Sequence, residues 1–145
     1  MISIRSGYAT FGSKPYLISI GDDVTIAGGV QFITHDGRVW IFNSKTNEMG
    51  YPDNIDVCGR IDIGTNVLVG FGVILMPNIS IGDNVVIGAG AVVTGDTPSD
   101  SVAVGVPAKV IMTKEQYKEK VFANSCNIRT LSYEEKRKYL LERYS

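Results

Sequence analysis

Residues 61–94 read IDIGTNVLVGFGVILMPNISIGDNVVIGAGAVVT, and a period of six runs through them unbroken. Ile63, Val69, Leu75, Ile81, Ile87 and Val93 are aliphatic at six-residue steps. Two positions before each stand Ile61, Val67, Val73, Ile79, Val85 and Ala91. Gly64, Gly70, Gly82 and Gly88 follow four of the repeats, with Met76 and Thr94 in the equivalent places elsewhere. Six residues advance an α-helix by about 600°, which scatters the aliphatics over several faces rather than one stripe. An apolar pair spaced by two instead suits a short strand with both side chains turned inward. Polar pairs such as Thr65-Asn66 and Asp83-Asn84 then form corners, since Gly, Asn and Asp tolerate the required backbone angles and face water.

Strand and corner in alternation wind the chain into a parallel β-helix. Three six-residue sides close a triangular coil of eighteen residues, so Ile63 stacks under Ile81 and Val69 under Ile87. The same rule begins earlier, at Ile18 with Ile20, Val24 with Ile26 and Val30 with Phe32. An ordinary β-sandwich would not hold so strict a period. The fold class expected is therefore all-β, a parallel β-helix of hexapeptide repeats with an extended loop and a short C-terminal helical segment.

The period fails between Phe32 and Val57, and the resumed repeat has a new phase. This excursion, residues 33–56, holds the chain's single histidine, His35, and single tryptophan, Trp40. Asp36, Arg38, Asn43, Lys45, Glu48, Tyr51, Asp53 and Asp56 accompany them. A polar loop that the scaffold does not need for its own core is where function is expected. Imidazole suits a general base because its ordinary pKa lies near neutrality. Adjacent side chains of an extended strand point apart, so a carboxylate from elsewhere or a backbone carbonyl is expected to orient His35, rather than Asp36.

The 145 residues carry 14 basic and 15 acidic side chains, a balance that argues against a basic body built for nucleic acid. No apolar run is long enough to span a bilayer and no signal peptide is visible, so a cytoplasmic location is expected. One histidine with Cys58 and Cys126 scattered along the chain does not make an all-protein zinc site, and no metal is expected. Neither cysteine has a basic partner at a meaningful spacing, so no covalent cysteine intermediate is expected. The glycines spell neither GxGxxG nor GxxxxGK[ST]. Thr113 with Gln116 and Ser132 with Glu135 read as capping boxes, each opening a helix that would cover an end of the coil. The domain division expected is 1–112 for the coil and 113–145 for the helical extension.

The stretch from Asp62 to Ile111, with GDDVTIAGGVQFITHDG at residues 21–37, resembles the left-handed β-helix hexapeptide acyltransferases. Within them it is most similar to the sugar O-acetyltransferase branch, including galactoside, maltose, capsule and lipopolysaccharide enzymes. The resemblance implies a left-handed coil, a homotrimer with active sites between subunits, and acetyl-CoA as co-substrate. By that resemblance His35, in Thr34-His35, is the catalytic base. The backbone around Phe71, Ala89 and Thr94 holds the pantetheine arm, and Lys109 lies near the CoA phosphates. A main-chain N–H near Phe71 is placed to stabilise the oxyanion. Two departures stand out. Gly95 occupies a position where lysine is common, and Met112 one where a second basic residue often follows, which shifts phosphate binding toward Lys109, Lys114 or Lys118.

The acceptor implied is a sugar or surface-polysaccharide precursor, with Trp40 offering a flat apolar face and Asp36, Arg38 and Asn43 its polar contacts. The expected reaction is acetyl transfer to a hydroxyl. An N-acetyltransferase acting on an amino sugar and a non-catalytic β-helix module for binding or assembly stay open as alternatives.

Overall fold

A computed structural model describes residue 1, the backbone of residues 3–5, and residues 8–41 and 55–145. Runs of Ile and Val between Gly, Asn and Asp corners form strands of two to five residues. These are β1 (Ser3–Arg5), β2 (Ile18–Ile20), β3 (Thr25–Ala27) and β4 (Gln31–Phe32), followed by β5 (His35–Asp36) and β6 (Val57–Cys58) at the two ends of the excursion. The regular coils contain β7 (Ile61–Ile63), β8 (Val67–Val69), β9 (Ile74–Leu75), β10 (Ile79–Ile81), β11 (Val85–Ile87) and β12 (Val92–Val93). The far end carries β13 (Ser101–Val104), β14 (Lys109–Thr113), α1 (Lys114–Asn124) and α2 (Tyr133–Tyr144).

Three parallel faces close the prism: β2, β7 and β10; β1, β3, β8, β11 and β13; and β4, β9 and β12. Ile61 pairs with Ile79, Val67 with Val85 and Ile74 with Val92, each eighteen residues on, which is the coil length read from the repeat. Ile18 pairs directly with Ile61, so the excursion is inserted into one coil without disturbing the stack. The inward residues Ile26, Val69, Leu75, Ile87 and Ala91 are fully buried and form the axial core.

Corner chemistry follows the backbone. Asp23, Asn66, Asn84 and Asp100 occupy equivalent corners in the left-handed region, at φ 55 to 57°. Asn66 Nδ2 donates to Asn84 Oδ1 at 2.8 Å and Asn84 Nδ2 to Asp100 Oδ1 at 3.0 Å, a side-chain ladder running down that edge. At another edge Gly29, Gly72 and Gly90 take φ of 74, 65 and 72°.

The structure differs from the sequence expectation at both ends. Above β3, the coil continues into residues that lack the repeat. β1 pairs with β3, and Thr10 exchanges backbone hydrogen bonds with Val30 and Phe32 at 2.9 and 2.8 Å. Phe11 stacks on Phe32 at 4.9 Å between ring centroids, so an aromatic pair closes the top of the core. At the bottom, β14 turns back antiparallel on β13 and extends that face to six strands. Both capping boxes form, at Thr113–Gln116 and Ser132–Glu135. α1 lies against β13 and β14, but neither helix buries a residue, so the cover expected of the helices is not formed by buried helix side chains.

Candidate functional site

Thr34 leads out of the prism and is completely buried. Its carbonyl accepts the Gly59 N–H at 3.0 Å, and its hydroxyl accepts the Lys14 N–H at 3.3 Å. Ile33 N–H is held by the Leu75 carbonyl at 2.8 Å in the coil below. These bonds fix the root of the excursion, and β5 leaves it antiparallel to the returning β6.

In that ladder His35 stands opposite Cys58, and Asp36 opposite Val57. Directly opposed residues share a face, as do positions two apart on one strand. His35, Cys58 and Asp56 therefore project to one side, while Asp36 projects to the other. The His35 ring is 28% exposed, and its Nε2 lies 2.7 Å from Asp56 Oδ1. An ionised Asp56 accepts the Nε2–H and leaves the Nδ1 lone pair free to take a proton. The orienting carboxylate thus comes from the far end of the excursion. Asp56 was only one of several polar residues there in the sequence, and strand pairing is what singles it out.

Asp36 accepts from Arg38 three times, from its backbone N–H at 2.8 Å, its Nε at 2.9 Å and its Nη2 at 2.6 Å. The side-chain bonds to Arg38 hold the Asp36 carboxyl below its ordinary range, and the same contact raises the guanidinium. Trp40 belongs to a short 3₁₀ turn, Gly37–Ile41. Its ring lies over Gly37, 3.8 Å from where a β-carbon there would stand, and the residue is 70% exposed. The indole is therefore not packed against the prism. Asn43, Lys45, Glu48, Tyr51 and Asp53 lie outside the described residues.

The residues assigned to CoA fall on two edges of the face made by β4, β9 and β12. Phe71 and Ala89 occupy the corner where the chain enters that face, joined through the Gly90 N–H to Phe71 carbonyl bond at 2.7 Å. Thr94 follows β12 at the opposite edge, in the column that contains Met76 and Ile33, below His35. Phe71 enters that face and Met76 leaves it, with strand β9 (Ile74–Leu75) between them, so the two lie at opposite edges. One chain therefore does not bring all these residues together. Lys109 is exposed at the start of β14. Lys114 is engaged by Asp100 at 3.2 Å and Glu115 at 3.8 Å, whereas Lys118 is exposed on α1. A cleft along α2 lined by Glu134, Arg137, Lys138 and Leu141 does not include His35.

Cys58 is not scattered with respect to the histidine, and it does have a basic neighbour. One imidazole nitrogen of His35, the Asp56 carboxylate and the Cys58 sulfur lie within 4.8 Å of one another. The intervening excursion hid that proximity, because spacing along the chain says nothing about antiparallel return.

A model of the bacterial transferase hexapeptide family (six repeats) matches residues 60–95. The chain is 50% identical over 136 residues to protein CapG of Staphylococcus aureus, covering 94% of this chain and 76% of that protein. It is 40% identical over 111 residues to the galactoside O-acetyltransferase of Escherichia coli K12, covering 74% of this chain but 51% of that enzyme. Among solved structures, a maltose O-acetyltransferase from Clostridium difficile 630 superposes with a TM-score of 0.59 at 31% identity, over 78% of this chain and 66% of that one.

Proposed function

Since the chain belongs to the hexapeptide-repeat acyltransferases, we propose that it transfers an acetyl group from acetyl-CoA to a hydroxyl of a sugar or surface-polysaccharide precursor. The observation that carries this reading is the His35–Asp56 pair, 2.7 Å apart at the rim of the prism. Two relatives named as O-acetyltransferases of galactoside and maltose support the acetyl group and the sugar class.

In the proposed reaction His35 Nδ1 removes the acceptor O–H proton as the oxygen attacks the thioester carbonyl carbon. Asp56 keeps the proton of the imidazole on Nε2 and stabilises the imidazolium that forms. The tetrahedral oxyanion collapses with cleavage of the carbon–sulfur bond. The CoA thiolate takes the proton back from His35, leaving acetylated acceptor, free CoA and neutral imidazole. A backbone N–H near Phe71 is the proposed oxyanion donor.

The two-edge arrangement supports a site shared between copies. In a cyclic assembly the edge bearing His35 and Thr94 in one copy faces the Phe71–Ala89 edge of the next, and the pantetheine arm lies between them. Lys109 and Lys118 are the proposed phosphate contacts. Trp40 is the proposed platform for a sugar ring, and Arg38, pre-aligned by Asp36, presents its remaining N–H groups to ring hydroxyls. The domain division at residue 112 and a cytoplasmic location belong to the same proposal. Among the described residues no helix is long and apolar enough to cross a membrane.

The test is thiol release from acetyl-CoA with a panel of neutral and amino sugars, followed by mass spectrometry and alkaline treatment of the product. Base-labile acetyl esters on neutral sugars are the expected result. Stable acetamides formed only from amino sugars would replace it with the N-acetyl reading. Failure to bind CoA at millimolar concentration would leave the non-catalytic module.

A further inference from the structure

We infer that His35, Asp56 and Cys58 form a binding site for a borderline-soft divalent cation of the Zn²⁺ type, and that its occupancy shuts off acetyl transfer. The consequence for transfer rests on the reading of His35 as base; the site itself does not.

The three donors are placed by strand geometry. His35 and Cys58 are directly paired across β5 and β6, and Asp56 stands two positions before Cys58 on the same face. The hydrogen bond from Gly59 N–H to the Thr34 carbonyl, at 3.0 Å, anchors both strands at their root. Imidazole nitrogen, carboxylate oxygen and thiolate sulfur are each zinc ligands, and a three-residue set leaves the fourth tetrahedral position to water. Tetrahedral coordination requires donor separations of about 3.3–3.6 Å. The present donors lie within 4.8 Å of one another, with His35 and Asp56 at 2.7 Å. Small side-chain rotations that part the hydrogen-bonded pair and draw the sulfur inward make the set. Cys58 and Asp56 are exposed, so an ion reaches them without opening the fold.

Binding releases the Cys58 thiol proton to solvent and places a sulfur lone pair on the metal. It also takes the single lone pair of neutral His35. Whichever ring nitrogen ligates, the other carries the proton, so the imidazole no longer accepts one from an acceptor hydroxyl. The site therefore acts as an inhibitory sensor and is not a catalytic metal centre. Cys126, which lies between α1 and α2, is not one of the three donors.

The probe is Co²⁺ titrated into the full chain, free of reductant that binds metal. The expected signals are tetrahedral visible absorption and a near-ultraviolet thiolate-to-cobalt band, both saturating at one equivalent per chain. Cys58→Ser is expected to abolish the thiolate band and weaken binding about tenfold or more. Asp56→Asn should weaken binding while retaining the band, and Cys126→Ser should change neither. In the thiol-release assay Zn²⁺ should stop the wild-type enzyme and a chelator restore it. Cys58→Ser and Cys58→Ala should keep the basal rate and lose Zn²⁺ sensitivity about tenfold or more. Absence of the thiolate band, its survival in Cys58→Ser, or loss of basal transfer in both Cys58 variants would overturn the inference. Transfer that survives His35→Ala would remove the general-base reading instead, while the cobalt spectrum continues to decide the metal site.

Discussion

Leu75→Ala measures how far the axial stack supports the fold and the root of the excursion. Leu75 is 0% exposed and pairs in register with Phe32 in the coil above and Val93 in the coil below, which are 0% and 1% exposed. The substitution deletes three carbons, and at about 0.8 kcal/mol each the lost transfer free energy is about 2.4 kcal/mol. Column neighbours fixed by coil-to-coil hydrogen bonds cannot collapse far into the space. A residual cavity of about 40–60 Å³ adds about 1–1.5 kcal/mol, for a total near 3–4 kcal/mol. That is a large fraction of the roughly 5–15 kcal/mol that stabilises a domain. Urea unfolding followed by circular dichroism, at one fixed protein concentration, reads the change. Ser80→Ala, on an outward exposed position of β10, is the control and should move stability by less than about 0.5 kcal/mol. A loss below about 1 kcal/mol for Leu75→Ala, or equal losses at both positions, would refute the close-packed column.

Gly64→Ala and Gly95→Ala should separate sharply. A β-carbon at Gly64 would meet the Gly82 backbone at 2.8 Å, whereas one at Gly95 meets nothing within 4 Å, so only the first should lower the urea midpoint substantially. For Arg38→Ala, the Asp36 carboxyl should climb back toward its ordinary 3.8, followed by its carbon-13 chemical shift. Because folding depresses that carboxyl, the pair contributes stability above about pH 4 that is lost as the pH falls through the folded value. Arg38→Ala should flatten that acid limb of the stability curve, and an unchanged limb would show that the contact carries no linkage. Ser132→Ala should remove the hydroxyl that accepts Glu135 N–H at 3.3 Å and fray the start of α2, seen as faster amide exchange confined to that helix.

The regular coils were legible in the sequence because one residue type recurs wherever the side chain meets the axis. Ile61, Val67 and Val73 announce a coil before any tertiary information is used. The N-terminal continuation was not legible. Thr10 and Phe11 join the stack through backbone bonds and one aromatic contact, neither of which imposes a period. β14 escaped for a related reason. Lys109, Val110 and Ile111 look like the tail of a repeat, and only the reversal after Val104 shows that they return antiparallel. At the site, His35 stood out as the lone imidazole at the point where the period breaks, but its carboxylate partner did not. Asp56 and Cys58 are distant in the chain and meet His35 only because the excursion leaves and returns through one two-stranded ladder. Pairing of that kind is a tertiary fact, invisible to spacing.

The most direct measurement is the pH-dependent rate of thiol release from acetyl-CoA, with a sugar acceptor, for the wild type, His35→Ala and Asp56→Asn. His35→Ala should lose about 10²–10⁴-fold in turnover with little change in CoA affinity. Asp56→Asn should show a smaller loss in turnover than His35→Ala, because the imidazolium formed during transfer has lost its carboxylate partner. Turnover in His35→Ala equal to the wild type across that profile would contradict the account.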